Sequence, residues 1–177
     1  AGTSSGTYDY FTEAINGRAK ASRGDYTASE DDNVLVQGVS ADPNGLGYFG
    51  LAYYKENSDK LKLLAVRASD GAEAVLPNDS TVMAGIYQPL SRPEFIYVNK
   101  KAMDREYVRD FLRFYIRQAA PLAAEVGYVP LSTETYRLCL SRIEQRITGS
   151  MFENRSVVAA DLNELLTESI KTDGAEQ

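Results

Sequence analysis

Ser5-Gly6-Thr7-Tyr8-Asp9-Tyr10-Phe11 opens the first regular segment of the chain. A small, hydroxyl-rich turn runs straight into a stretch where Tyr8, Phe11 and Ile15 recur at i, i+3 and i+7, the spacing of one helix face. Gly17 supplies the stop, because glycine adopts the left-handed conformation at a helix end without strain. These signals predict a helix from about Ser5 to Asn16. A helix start has N–H groups without intrahelical partners and the positive end of the macrodipole, so it suits an anion. Ser5 and Thr7 add two hydroxyl donors, and Gly6 lets a ligand approach the backbone closely. The same residues also read as an ordinary Ser/Thr cap, and this stretch by itself leaves both readings open.

Composition narrows the chemistry. The chain has 177 residues, 44% hydrophobic and 25% charged, enough for one sizeable domain or two small lobes. No apolar run approaches the ~20 residues of a membrane-spanning helix. The opening Ala1-Gly2-Thr3-Ser4-Ser5 has no signal-peptide pattern, which leaves a mature or a shortened product equally open. The net charge is −6, and no basic stripe of the kind a nucleic-acid binder carries is visible. A small anion is not excluded, since local N–H and hydroxyl donors hold it independently of net charge.

Histidine is absent, which removes the commonest general base and the commonest zinc ligand. Neither a Ser–His–Asp triad nor a Cys–His pair can be built within the chain. The single cysteine, Cys139, forms no internal disulfide. It falls on an expected apolar helix face with Tyr136, Leu140 and Ile143, where a buried structural thiol is the expected role. Asp25 to Asp32 lacks the alternating ligands and central glycine of an EF-hand loop. No phosphate-binding Gly-Lys-Ser/Thr loop and no dinucleotide-binding glycine fingerprint is present. No catalytic residue, metal ligand or cofactor is therefore assigned.

Further along, Ser29 with Asp32 three residues on predicts a second helix start, carrying Val34, Leu35 and Val39, and Asp42-Pro43-Asn44-Gly45 is a turn. Leu46 to Lys55 is broken by glycines and rich in aromatics, which predicts a short strand or turn and then a helix to about Glu56. Leu61 to Val66 and Phe95 to Val98 read as strands, with loop expected over 69–85. The remainder is helical. Val108, Phe111, Leu112, Tyr115, Ile116 and Ala119 form a stripe behind an Asp104 cap, which Pro121 is expected to end or kink. Ser132 to about Ile147 is a second helix with Tyr136, Cys139, Leu140, Ile143 and Ile147 inward. Val158, Leu162, Leu165, Leu166 and Ile170 form a third stripe, with fraying expected from Thr172. Strands alternating with helices indicate an α/β architecture.

The loop from Ser22 to Asn33 (SRGDYTASEDDN) combines one arginine with hydroxyls and four carboxylates. Arg23 could bind a tetrahedral oxyanion through two N–H groups, with Asp25 orienting it. The alternative is a solvated acidic helix start. Arg92, ahead of the second expected strand, either faces a cleft or pairs with a surface carboxylate.

Taken together, SGTYDYFTEAI, SRGDYTASEDDNVLVQGVS, GLGYFGLAYY, YQPLSRPEFIYV and GYVPLSTETY, in this order, resemble the PstS-type phosphate-binding proteins of phosphate ABC transporters. The resemblance runs from Ser5 to about Ile147. It implies an α/β fold of the type II periplasmic-binding class, here one lobe plus the C-terminal helices of the other. The expected division is 1–88 as the second, ligand-binding lobe and 89–177 as a crossover strand and C-terminal helical segment. It also implies a periplasmic or otherwise extracytoplasmic receptor, not an enzyme, whose partners are inorganic phosphate and a membrane permease, with no nucleic acid involved.

The family's Ser-Gly-Thr motif maps onto Ser5, Gly6 and Thr7, which the resemblance makes phosphate donors. The sequence departs from the family pattern in two places. The family's N-terminal portion has no counterpart, so the chain resembles the C-terminal part of a longer protein. Ala1 stands where family members carry an arginine four residues before the motif serine. Arg23, oriented by Asp25, is the expected substitute. A lobe without its usual neighbours is expected to self-associate or to pair with an N-terminal fragment. The alternative function is a module that keeps the fold as a scaffold or self-associating domain without binding the ligand.

Overall fold

A computed structural model describes residues 1–152 and 161–174. They form two compact units, Ala1–Leu90 and Ser91–Gln177.

In the first unit, α1 spans Gly6–Asn16 behind Ser5, and Gly17 ends it at φ 71°, donating its N–H to Glu13 O at 2.9 Å. Both ends match the sequence reading, but the buried face is turned. Tyr8, Tyr10 and Thr12 are buried, whereas Ile15 is exposed. The hydroxyls explain this, since each finds a partner inside and so carries no desolvation penalty. Tyr10 donates to Pro89 O at 2.7 Å and Tyr8 to Lys20 O at 3.3 Å, while Thr12 donates to Tyr8 O at 2.8 Å and accepts the Lys20 N–H at 2.7 Å.

Helix α2 spans Asp32–Ala41 and is capped by Asp31, not by Ser29 as the sequence pattern suggested. Val36 is its buried residue. Helix α3, Leu51–Glu56, matches the expected helix before Glu56. The expected strand at Leu61–Val66 is reduced to a two-residue ladder. Strand β1 (Val66–Arg67) pairs antiparallel with β2 (Ala74–Val75), with Val66 opposite Val75 and Arg67 opposite Ala74. The segment 69–85 is more ordered than expected. It contains β2 and the short helix α4, Asp79–Met83, closed at its start by a capping box between Asn78 and Thr81.

In the second unit, Phe95–Val98 is not hydrogen-bonded into a sheet among the described residues. A 3-10 turn over Lys100–Asp104 follows, and α5 then spans Glu106–Glu125. Asp104 does not cap α5; the N-cap position is Arg105, with no side-chain cap. Pro121 lies inside α5 rather than ending it. The helix stops one turn later at Gly127, where Gly127 and Tyr128 donate to Ala124 O and Ala123 O at 3.1 and 2.9 Å. Of the expected α5 stripe, Leu112 is buried, while Phe111 and Tyr115 remain exposed.

Helix α6 spans Thr133–Glu144 behind a Ser132 cap. Thr135 and Leu138 are its buried residues, and Cys139 is half-buried. Burial pushes the Cys139 thiol up despite the opposing Arg142 charge, which keeps it protonated and unreactive. Helix α7, Leu162–Gly174, packs on α6 through Leu166. Thr135 Oγ1 donates to Asn163 Oδ1 at 2.8 Å and Arg142 to Ser169 Oγ at 3.3 Å. Among the described residues, Met103, Leu112, Leu138 and Leu166 are the buried apolar ones of this unit. Val158 and residues 175–177 lie outside the described residues, and α7 carries past the expected fraying point at Thr172.

Candidate functional site

The start of α1 is built as a capped turn. Ser5 N–H donates to Gly2 O at 3.0 Å, which folds 2–5 into a turn ahead of the helix. Ser5 holds extended backbone angles, φ −78° and ψ 131°, and its Oγ accepts the Thr7 N–H at 3.1 Å. Its carbonyl accepts the Asp9 N–H at 3.2 Å, the first helical bond. Ser5 is therefore a structural N-cap. Gly6 and Thr7 follow as the first two helical residues, Gly6 exposed and Thr7 half-buried. Asp9 in the first turn pairs with Lys20 at 3.9 Å.

The loop 22–33 is anchored to this turn at two points. Tyr26 stacks on Tyr8 with ring centroids 6.2 Å apart and planes 13° from parallel. The adjoining Tyr8 hydroxyl pushes the Tyr26 phenol up to about 12. Glu30 supplies the other anchor, with Oε1 accepting the Ser4 N–H at 3.0 Å. Around them, Phe11 stacks on Tyr48 at 3.8 Å and 6°. Burial and the neighbouring Tyr8 raise the Tyr48 phenol.

Arg23 and Asp25 form a two-point pair. Arg23 Nε and Nη2 donate to Asp25 Oδ1 and Oδ2 at 2.7 and 2.5 Å. Both side chains are solvent-facing, 83% and 65% exposed. The Arg23 hydrogen bond holds the Asp25 carboxyl below the usual carboxylate range. A guanidinium has five N–H donors, so donors remain after Asp25 has fixed the orientation. Arg92 is half-buried at the start of the second unit.

The sequence reading named Ser5, Gly6, Thr7, Arg23 and Asp25. The structure places the first three consecutively at the α1 start and joins the last two to each other. It singled out neither Tyr26 nor Glu30, which tie the loop to α1. Their contacts span 18 and 26 residues in sequence, beyond the reach of any local pattern. The helix N–H groups and hydroxyls at the α1 start suit an oxyanion, and Arg23 is a separate oriented guanidinium on the exposed loop, bonded to Asp25.

The fold class is that of the periplasmic-binding proteins, an α/β architecture represented here by few strands and many helices. A solved structure of a possible phosphate binding protein from Planctomyces limnophilus superposes with a TM-score of 0.68 at 43% identity, over 82% of this chain and 52% of that one. Protein SphX of Synechococcus elongatus is 50% identical over 165 residues, 93% of this chain and 48% of the relative. Protein SphX of a Synechocystis strain is 48% identical over 166 residues, 93% of this chain and 49% of the relative. The phosphate-binding protein PstS of Staphylococcus saprophyticus is 37% identical over 147 residues, 81% of this chain and 44% of the relative. No family model matches the chain. The chain is a homologue of the proteins named SphX and of the phosphate-binding protein PstS, and it spans about half the length of the curated relatives it matches.

Proposed function

We propose that the chain is the ligand-binding part of an extracytoplasmic solute receptor that captures inorganic phosphate for uptake through the permease of an ABC transporter. The observation that carries this reading is the homology to a phosphate-binding protein across 81% of the chain. The oxyanion-type donors at Ser5, Gly6, Thr7 and Arg23 are consistent with it. Such a receptor binds reversibly and does no chemistry. A dehydrated anion suits a rigid set of donors, because a buried charge without partners is costly.

The test is calorimetric titration of the 177-residue chain with phosphate, with sulfate as control, at two protein concentrations, on the wild type and Arg23→Ala. Phosphate-selective binding that weakens in Arg23→Ala is the expected result. Unchanged affinity in Arg23→Ala removes Arg23 and its orienting Asp25 from the site. Absence of binding with either anion would leave the scaffold function for the chain as it stands.

A further inference from the structure

Glu30 behaves differently from the rest of its acidic loop. Its neighbours serve the start of α2, where Ser29 Oγ accepts the Asp31 N–H at 3.0 Å and Asp31 Oδ1 accepts the Asn33 N–H at 2.9 Å. Glu30 turns the other way and takes the Ser4 N–H. Ser4 immediately precedes the N-cap Ser5. The carboxylate also lies directly over Gly2. A β-carbon there would stand 2.1 Å from Oε1 and 2.3 Å from Cδ, so only glycine admits this placement. One of the chain's own oxyanions thus already uses a backbone donor of the turn that leads into the candidate anion site.

We propose that Glu30 is a resident competitor that sets the affinity of the α1 anion site. It occupies the Ser4 N–H while the site is empty, and its charge opposes any anion arriving at Ser5, Gly6 and Thr7. The inference rests on the phosphate reading of that site. Successive Cα atoms are about 3.8 Å apart, so an anion on the next donors along the chain lies within roughly two residue spacings of the Glu30 carboxylate. Like charges at that separation in a partly exposed site change affinity on the order of tenfold. Among the nearby cations Lys20 pairs with Asp9 and Arg23 with Asp25, and the Ala1 ammonium is shared between Asp32 and Glu30, so it offsets the Glu30 charge only in part. The effect is to weaken capture and ease release.

Two variants separate charge from position. Glu30→Gln keeps an acceptor for the Ser4 N–H and removes the charge. Gly2→Ala keeps the charge and pushes the carboxylate off the turn. That displacement is mild, since the atoms in the way are the far end of a flexible side chain. Titration with inorganic phosphate up to tens of millimolar, with circular dichroism to verify folding, is run on the wild-type chain and on both variants. The expected result is tighter binding in both, on the order of tenfold for Glu30→Gln and less for Gly2→Ala. Binding seen in the variants and not in the wild type is the same result in stronger form. Equal or weaker binding in both variants overturns the competitor role and leaves the phosphate reading standing. No binding in any of the three proteins overturns both, because removal of a competitor should expose the site.

Discussion

Ser5 carries two roles that one pair of substitutions can separate. Its Oγ caps α1 through the Thr7 N–H at 3.1 Å, and the same hydroxyl is a candidate phosphate donor. Ser5→Ala removes both. Loss of an N-cap costs about 1 kcal/mol, which in a unit the size of Ala1–Leu90 lowers the melting temperature by about 4–8 °C. Ser5→Asp keeps the cap, because aspartate ranks with serine at this position, and its charge gains about 0.3–1 kcal/mol from the helix end. For an anion the same aspartate is hostile. A negative charge about 4 Å from a phosphate costs about 1 kcal/mol per unit charge in water and about 4 kcal/mol near a protein surface, so affinity falls at least about fivefold. Thermal melts by far-UV circular dichroism and phosphate titration by calorimetry then place aspartate at opposite ends of the two orders. Stability should run aspartate, serine, alanine, with aspartate at least equal to serine, and affinity should run serine, alanine, aspartate. A Ser5→Asp protein that binds phosphate as the wild type does would refute the reasoning and leave Ser5 as a cap alone.

Three further outcomes follow from other parts of the structure. Arg146, at φ 56°, closes α6, with the N–H groups of Arg146 and Ile147 donating to Ile143 O and Arg142 O at 3.1 Å, while its guanidinium holds Asp104 Oδ1 at 2.9 Å and Met103 O at 3.2 Å. Arg146→Gly and Arg146→Ala both lose those side-chain bonds, but only glycine relieves the left-handed strain, so urea unfolding should find the glycine protein more stable by about 1 kcal/mol; the reverse order would contradict this. Tyr26 binds its proton more tightly in the folded state, with its phenol near 12 against an ordinary 10, so its stabilising effect is present below about pH 10 and lost as pH rises toward about 12. Ultraviolet titration of tyrosinate formation should lose a late-ionising phenol in Tyr26→Phe, while the raised Tyr48 and Tyr87 phenols remain. Leu166, 2% exposed between α6 and α7, should cost about 2–5 kcal/mol on truncation to alanine, and a denaturant midpoint unchanged from wild type would show that this packing does not stabilise the unit.

What the sequence showed plainly was whatever is set by nearest neighbours along the chain. Ser5 and Gly17 bracket α1 and Ser132 opens α6 because each cap bonds within two to four residues. The α2 start was misplaced by two residues in a run where Ser29, Asp31 and Asp32 are each competent caps; the backbone chose Asp31. Pro121 is expected to end or kink α5; it lies inside the helix, close enough to the C-terminal end that a single turn follows it before Gly127 closes the helix. The site shows the same division. The Ser-Gly-Thr turn and the Arg23–Asp25 pair are local, and both were visible. The Tyr26 and Glu30 anchors depend on where a loop lands, which no periodicity encodes.

The strands illustrate this limit most clearly. Phe95-Ile96-Tyr97-Val98 has the β-branched and aromatic composition of a strand, yet among the described residues it joins no ladder, and Tyr97 is 90% exposed. Composition states what would suit a sheet, whereas a sheet exists only where a second segment accepts the N–H and C=O groups. An extended apolar edge with open backbone groups is a template for another chain. We therefore expect this segment to pair with a second copy, and sedimentation velocity should show a weight-average mass that rises with protein concentration. Ile96→Lys puts a charge on the edge, which natural edge strands use against such pairing, and should return the protein to a monomer without shifting its melting temperature, since Ile96 is already exposed. A wild-type chain that sediments as a monomer at every concentration would mean that this edge is quiet in solution, and its strand-like composition would need another cause.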